Sequence, residues 1–270
     1  MMTARALFRS GILVLLIALF LGTGCSWFET ERLAARYLDV FPDEPVSLES
    51  WDIQALRDDA QLYSIYQEWK IVYEDWLADL GIGMPVVEYL SESDTGVKVI
   101  EGEFERAKVR VALTDADYRS GSYQEEERWE SSDGHSWVLV MEEVLLIGPK
   151  DEIRDCVDVI KGRLESLESN VYVGQVIDKL PEGPKVIVGR GDVSGSLLAW
   201  GWSYQPEDSD TMKVKAVYHY DGEGAAEIGK STILNDWEGF YYDAVATQEG
   251  EFIQIEALIE NDYFRELIAE

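Results

Sequence analysis

An apolar run of ten residues, Ile12 to Leu21, sets the first limit on what this chain can form. At about 1.5 Å of helix per residue it reaches roughly halfway across a ~30 Å hydrocarbon core, too short for a comfortable permanent span. Arg5 and Arg9 precede the run with no acid among them, and Gly22-Thr23-Gly24 follow it. A basic start, a short apolar stretch and small residues before a cut make a secretory signal. The fold is then built by what remains, outside the cytoplasm.

Gly22-Thr23-Gly24-Cys25 resembles the lipobox of prokaryotic lipoproteins. That pattern sets small residues before an invariant cysteine and an aliphatic residue three positions ahead of it. Here Gly22 stands in the aliphatic position, with Leu21 one place further back. The resemblance implies cleavage before Cys25 and a diacylglyceryl thioether on its sulfur. The protein is then lipid-anchored at the cell membrane and faces away from the cytoplasm. Ser26, by the same resemblance, implies the outer membrane in a Gram-negative cell. Each buried CH₂ contributes about 0.8 kcal/mol, so two or three acyl chains on one cysteine hold a protein durably where one holds it only reversibly.

Removing residues 1–24 takes away two of the 23 basic residues and none of the 53 acids, and the formal charge moves from −30 to −32. A surface this acidic repels phosphate backbones and anionic headgroups, which argues against nucleic-acid binding and against lying flat on a bilayer by charge. At 46% hydrophobic residues with nine Trp and fourteen Tyr, the chain can bury a proper core. The cysteines are Cys25 and Cys156. With Cys25 committed to lipid, no intrachain disulfide is available. Ile153, Cys156, Val157 and Ile160 share one helical face, so Cys156 reads as a small buried hydrophobe.

The pattern predicts an α+β fold. Residues 25–49, with Pro42 and Pro45, read as a lipidated tether. Ser50 reads as an N-cap, and Leu62, Ile65, Trp69, Val72, Trp76 and Leu80 form a stripe at steps of three or four, so one long amphipathic helix is expected over 50–80. Strands are expected over 97–102, 136–141, 144–147 and 185–189, an extended stretch over 118–130 with a turn at Gly121, and helices over 104–113, 149–161 and 171–180. This order matches a ferredoxin-like unit carrying an insertion. After a connector at Gly189–Gly195, strands over 196–204 and 211–220, a helix over 222–235, a hairpin over 240–248 and 252–259 and a helix over 262–269 make a second unit. The expected architecture is two ferredoxin-like halves, 50–192 and 193–270, with mostly antiparallel sheet and helices packed on it. The stretch from Ser166-Leu167 to Leu180-Pro181-Glu182-Gly183 resembles uncharacterised exported prokaryotic lipoproteins and implies no activity.

No catalytic constellation is legible. His135 sits in a turn-like segment and His219 between Tyr218 and Tyr220 in a strand, and neither adjoins a nucleophile elbow. Two separated histidines and one apolar-face cysteine do not make a zinc site. Glu207-Asp208-Ser209-Asp210 and Glu125-Glu126-Glu127 lack the EF-hand pattern and read as solvated turns. Gly189-Arg190-Gly191-Asp192-Val193-Ser194-Gly195 has Ser194 where a dinucleotide turn needs its third glycine. No cofactor or metal is therefore expected. The most suggestive surface element is Trp200-Gly201-Trp202, whose indoles share one strand face and could stack on a sugar or line an apolar groove. Three function classes follow: a non-catalytic binding module for a small apolar or glycan ligand, an envelope assembly protein acting through protein contacts, and a hydrolase using an acid pair.

Overall fold

The computed structural model describes residues 32–44, 46–191, 195–237 and 241–269. The chain divides into residues 1–32 and a compact unit, residues 33–270, which holds every described element. Its strands are β1 (Ser47–Asp52), β2 (Val87–Ser93), β3 (Lys98–Gly102), β4 (Arg119–Tyr123), β5 (Glu126–Glu130), β6 (Ser136–Val140), β7 (Val144–Pro149), β8 (Lys185–Arg190), β9 (Leu197–Pro206), β10 (Thr211–Tyr220), β11 (Tyr241–Glu249) and β12 (Phe252–Glu260). Its helices are α1 (Ile53–Asp58), α2 (Tyr63–Asp79), α3 (Arg106–Asp115), α4 (Lys150–Ile160), α5 (Val171–Ile177), α6 (Glu223–Asp236) and α7 (Asn261–Ala269).

All twelve strands join one antiparallel sheet in the order β11-β12-β10-β9-β8-β1-β2-β3-β7-β6-β5-β4. The protein is α+β, with helices on both faces of that sheet. One face packs against α1, α2, α3, α6 and α7 through residues such as Trp51, Leu90, Ile65, Trp69, Val109, Ala226 and Phe264. The other packs against residues 33–41, α4 and α5 through Leu48, Val99, Val188, Phe41, Cys156 and Val176. Alternate strand residues point to opposite faces, so both faces draw their core from the same strands.

The structure departs from the sequence expectation in four places. The two ferredoxin-like halves are replaced by one sheet, because β8 pairs with β1 on one side and with β9 on the other. The single helix over 50–80 is replaced by β1, α1 and α2. Ser50 is not a cap: it lies within β1, buried, with its hydroxyl 2.7 Å from that of Ser91 on β2. Asp52 caps instead, accepting from Ala55 N at 2.7 Å. Strand pairing on both sides of β1 outweighs the local helix signal, as tertiary context commonly does for a short segment. Within the expected tether, residues 33–41 pack against the body. Tyr37, Leu38 and Phe41 are buried, and Arg36 donates to both oxygens of Glu101 on β3, at 3.0 and 2.8 Å, while stacking 3.7 Å over the Tyr89 ring. Finally, Gly121 lies inside β4; the turn falls at Gln124 and Glu125, both at positive φ, 53° and 74°. The signal, Cys25 and residues 26–31 lie outside the described residues, as do Asp192, Val193 and Ser194 of the glycine-rich connector.

Candidate functional site

The antiparallel register sets side chains in rows across the first face of the sheet. One row runs Ile100, Leu90, Trp51, Lys185, Tyr204, Val214 across β3, β2, β1, β8, β9 and β10, and every member is buried. The next row, two residues along each strand, runs Lys98, Glu92, Glu49, Ile187, Trp202. All five are partly exposed, and the row closes again at Ala216, which is buried. A third row carries Ser47, Gly189 and Trp200, the outer two partly exposed. Over five central strands, then, the row forms a strip, here called the trough, of polar and aromatic side chains partly open to solvent.

Helix α2 supplies its wall. Trp69 is buried, Tyr73 stacks on it with centroids 4.3 Å apart, and Trp76 meets Tyr73 edge-on at 6.1 Å. The aromatic stripe of α2 is thus core at its start and trough lining at Tyr73 and Trp76, both partly exposed. Burial, and then the charge of the Glu92 and Glu49 carboxylates, push the Tyr73 hydroxyl up to about 12. Lys98 Nζ stands 6.0 Å over the Trp76 ring. At the other end Trp202 packs against Trp237 at 4.9 Å, and Trp237 against Tyr241 at 4.5 Å. The Trp202 and Trp237 indole N–H groups both lie near the Tyr218 hydroxyl and oppose the rise that burial gives it, although neither reaches good hydrogen-bond geometry.

The floor's carboxylates are matched by one lysine of the same row and one of the buried row beside it. Lys185, 2% exposed, places Nζ 3.1 Å from Glu49 Oε1, 4.3 Å over the Trp51 ring and 5.7 Å from the Tyr204 ring. Glu49 Oε1 also accepts from Trp51 Nε1 at 2.6 Å. Lys98 pairs with Glu92 across the strands. Two glutamates directly opposite each other on one sheet face would repel; the two lysines offset that repulsion.

The Trp200-Gly201-Trp202 element has a structural cause on each face. A Cβ on Gly189 would meet the Trp200 ring at 2.5 Å, so that indole lies across β8 only because Gly189 has no side chain. On the opposite face a Cβ on Gly201 would meet Leu180 at 2.7 Å and Val176 at 3.0 Å; the glycine seats α5.

The other sequence candidates are scattered. His135 is exposed at the β5–β6 turn. His219 lies on the second face, 3.4 Å from Glu251 and stacked on Phe252 at 4.2 Å, and burial holds its pKa below the usual value. Cys156 is 1% exposed, and burial pushes its thiol up to about 12. Asp208 accepts from Asp210 N at 2.8 Å in a local turn, and Glu127 is held by Arg110 at 2.6 Å. Burial raises the Asp52 carboxyl, but its oxygen is committed to capping α1. Among the described residues no group of three or more His, Cys, Asp and Glu is placed to hold a metal, and no helix is long and apolar enough to cross a membrane. Sequence reasoning missed Glu49, Glu92, Lys98, Lys185 and Tyr73 as neighbours. Glu49 and Glu92 sit on strands with weak alternation, and only strand pairing brings them together.

No protein-family profile matches the chain. An uncharacterised protein of Methanocaldococcus jannaschii, MJ0635, is 32% identical over 91 residues, 32% of this chain and 31% of that one, so the chain spans about a third of that relative. Among solved structures, crystal form I of TP0453 aligns with a TM-score of 0.53 at 10% identity, over 86% of this chain and 95% of that one. Crystal form IV of the same protein aligns with a TM-score of 0.52 at 9% identity, over 86% and 96%. The likeness is one of fold.

Proposed function

We propose that this protein is a lipid-anchored, extracytoplasmic binding module that holds a small ligand in the trough and does no chemistry on it. The observation that carries the reading is the row Lys98, Glu92, Glu49, Ile187, Trp202, partly open to solvent beside a fully buried row on the same central strands. Aromatic side chains beside a few fixed polar groups are the usual lining of a small-molecule site. The anchor is the lipid on Cys25, as the lipobox resemblance implies. Since residues 33–41 are packed into the body, eight peptide steps separate Cys25 from Leu33, a leash of at most about 28 Å. The body is then held close to the bilayer at the cell membrane, or the outer membrane in a Gram-negative cell. The division into halves 50–192 and 193–270 is proposed as two folding units that meet where β8 pairs with β9.

An assembly role within the envelope is the second reading, favoured by the outer edge of β11, where Tyr242 and Val245 are exposed.

Native mass spectrometry of the full-length protein, released gently from its own membranes, tests the binding reading. A small mass beyond the lipidated chain, lost on denaturation, is expected. A mass equal to the lipidated chain alone counts against a carried ligand, and a larger companion points to the assembly role. For the anchor, Cys25→Ala is expected to abolish partition into detergent; unchanged partition would show a different anchor.

A further inference from the structure

The ligand class can be read from the charge balance of the trough, on the premise that the trough is the binding site. The chain carries −30 overall, yet the four charged groups of the floor cancel: Lys98 with Glu92, Lys185 with Glu49. An anionic ligand would approach against the field of the whole protein and find both lysines matched. A cationic ligand would find both carboxylates matched. A wholly apolar ligand would strip water from Lys98, Glu92 and Glu49 and return no hydrogen bond, which is costly. What fits is a neutral molecule with hydroxyls at its edge and C–H groups on its faces.

The arrangement of the side chains agrees. Glu49 binds its protein partners through Oε1, and a carboxylate has a second oxygen that accepts hydrogen bonds from hydroxyls. Tyr73, partly exposed on α2 and stacked on Trp69, adds a hydroxyl to the wall. Trp200, lying across Gly189, and Trp202 and Trp76 place partly exposed aromatic residues at both ends of this polar strip. We propose that the trough binds a neutral oligosaccharide: ring C–H faces on the indoles, ring hydroxyls on Glu49, Glu92 and Lys98.

The test is a printed array of neutral, uronic or sulfated, and amino-sugar glycans, probed with the full-length protein in a detergent that contains no sugar. Neutral glycans are expected to be retained. Glu92→Gln and Tyr73→Phe, which change polar atoms at half-buried positions and keep the packing, should each weaken that retention, Glu92→Gln by about ten-fold or more, as loss of a charged hydrogen bond requires. Thermal melting of both variants checks that they fold. Retention of acidic or amino-sugar glycans alone, or neutral retention untouched by both variants, overturns the proposal. If no glycan is retained while native mass spectrometry finds a carried small molecule, the carbohydrate class falls and the binding module stands; if neither is found, both fall.

Discussion

Lys185 and Glu49 should respond very differently to removal. Lys185 is 2% exposed and Glu49 35%, with 3.1 Å between Nζ and Oε1. Glu49→Gln leaves a buried ammonium facing a neutral amide between the Trp51 and Tyr204 rings. Breaking a fully buried pair from one side costs about 3–5 kcal/mol. Water reaches Glu49, so its share is screened and a cost of about 2–3 kcal/mol is expected. In a domain of this size each kcal/mol moves Tm by about 2–4 °C, giving a fall of about 4–12 °C. Lys185→Met removes the buried charge, keeps the length of the side chain against the two rings, and leaves Glu49 with its Trp51 hydrogen bond and water. Its cost should stay below about 1 kcal/mol. Circular-dichroism melting of the full-length protein in detergent measures both. Equal losses, or a larger loss for Lys185→Met, would show that Glu49 is not there to balance a buried charge.

Two further outcomes follow from other buried groups. Burial lowers the His219 pKa, so the folded protein resists a proton that the unfolded chain takes up near its ordinary value of about 6.5. The stability this group contributes is full above that value and is lost as pH falls below it, by up to about 1.4 kcal/mol per pH unit. Urea denaturation at stepped pH should therefore show a slope in the wild type that His219→Gln flattens; equal slopes would refute the assignment, and comparison with the variant removes the titration of the many carboxylates. Cys156, buried and with its thiol pushed up to about 12, should resist a thiol-directed disulfide reagent in the folded Cys25→Ala protein and react once denatured. Rapid labelling under native conditions would contradict its place on the buried face of α4.

Much of the secondary structure was legible because each element carried its own punctuation. Glu142-Glu143 turns β6 into β7, Pro149 opens α4, and Gly250 turns β11 into β12. The failures share one cause. Ser47–Asp52 is six residues whose side chains alternate poorly, and it becomes a strand because β2 and β8 pair with it from both sides. Propensity reads only neighbours along the chain; Ser50 met Ser91 across forty-one positions.

Determined by the sequence alone were the α+β class, the apolar face that buries Cys156, the strong net acidity, and the presence of two tryptophans on one strand face. These depend on periodicity of two or 3.6 residues and on composition, which need no long-range partner. The tertiary structure alone decided that both groups of strands form one sheet and that Glu49, Glu92, Lys98 and Lys185 meet between Tyr73 and Trp202. Register does this: a slip of one residue in β1 would turn Glu49 to the opposite face and dissolve the trough.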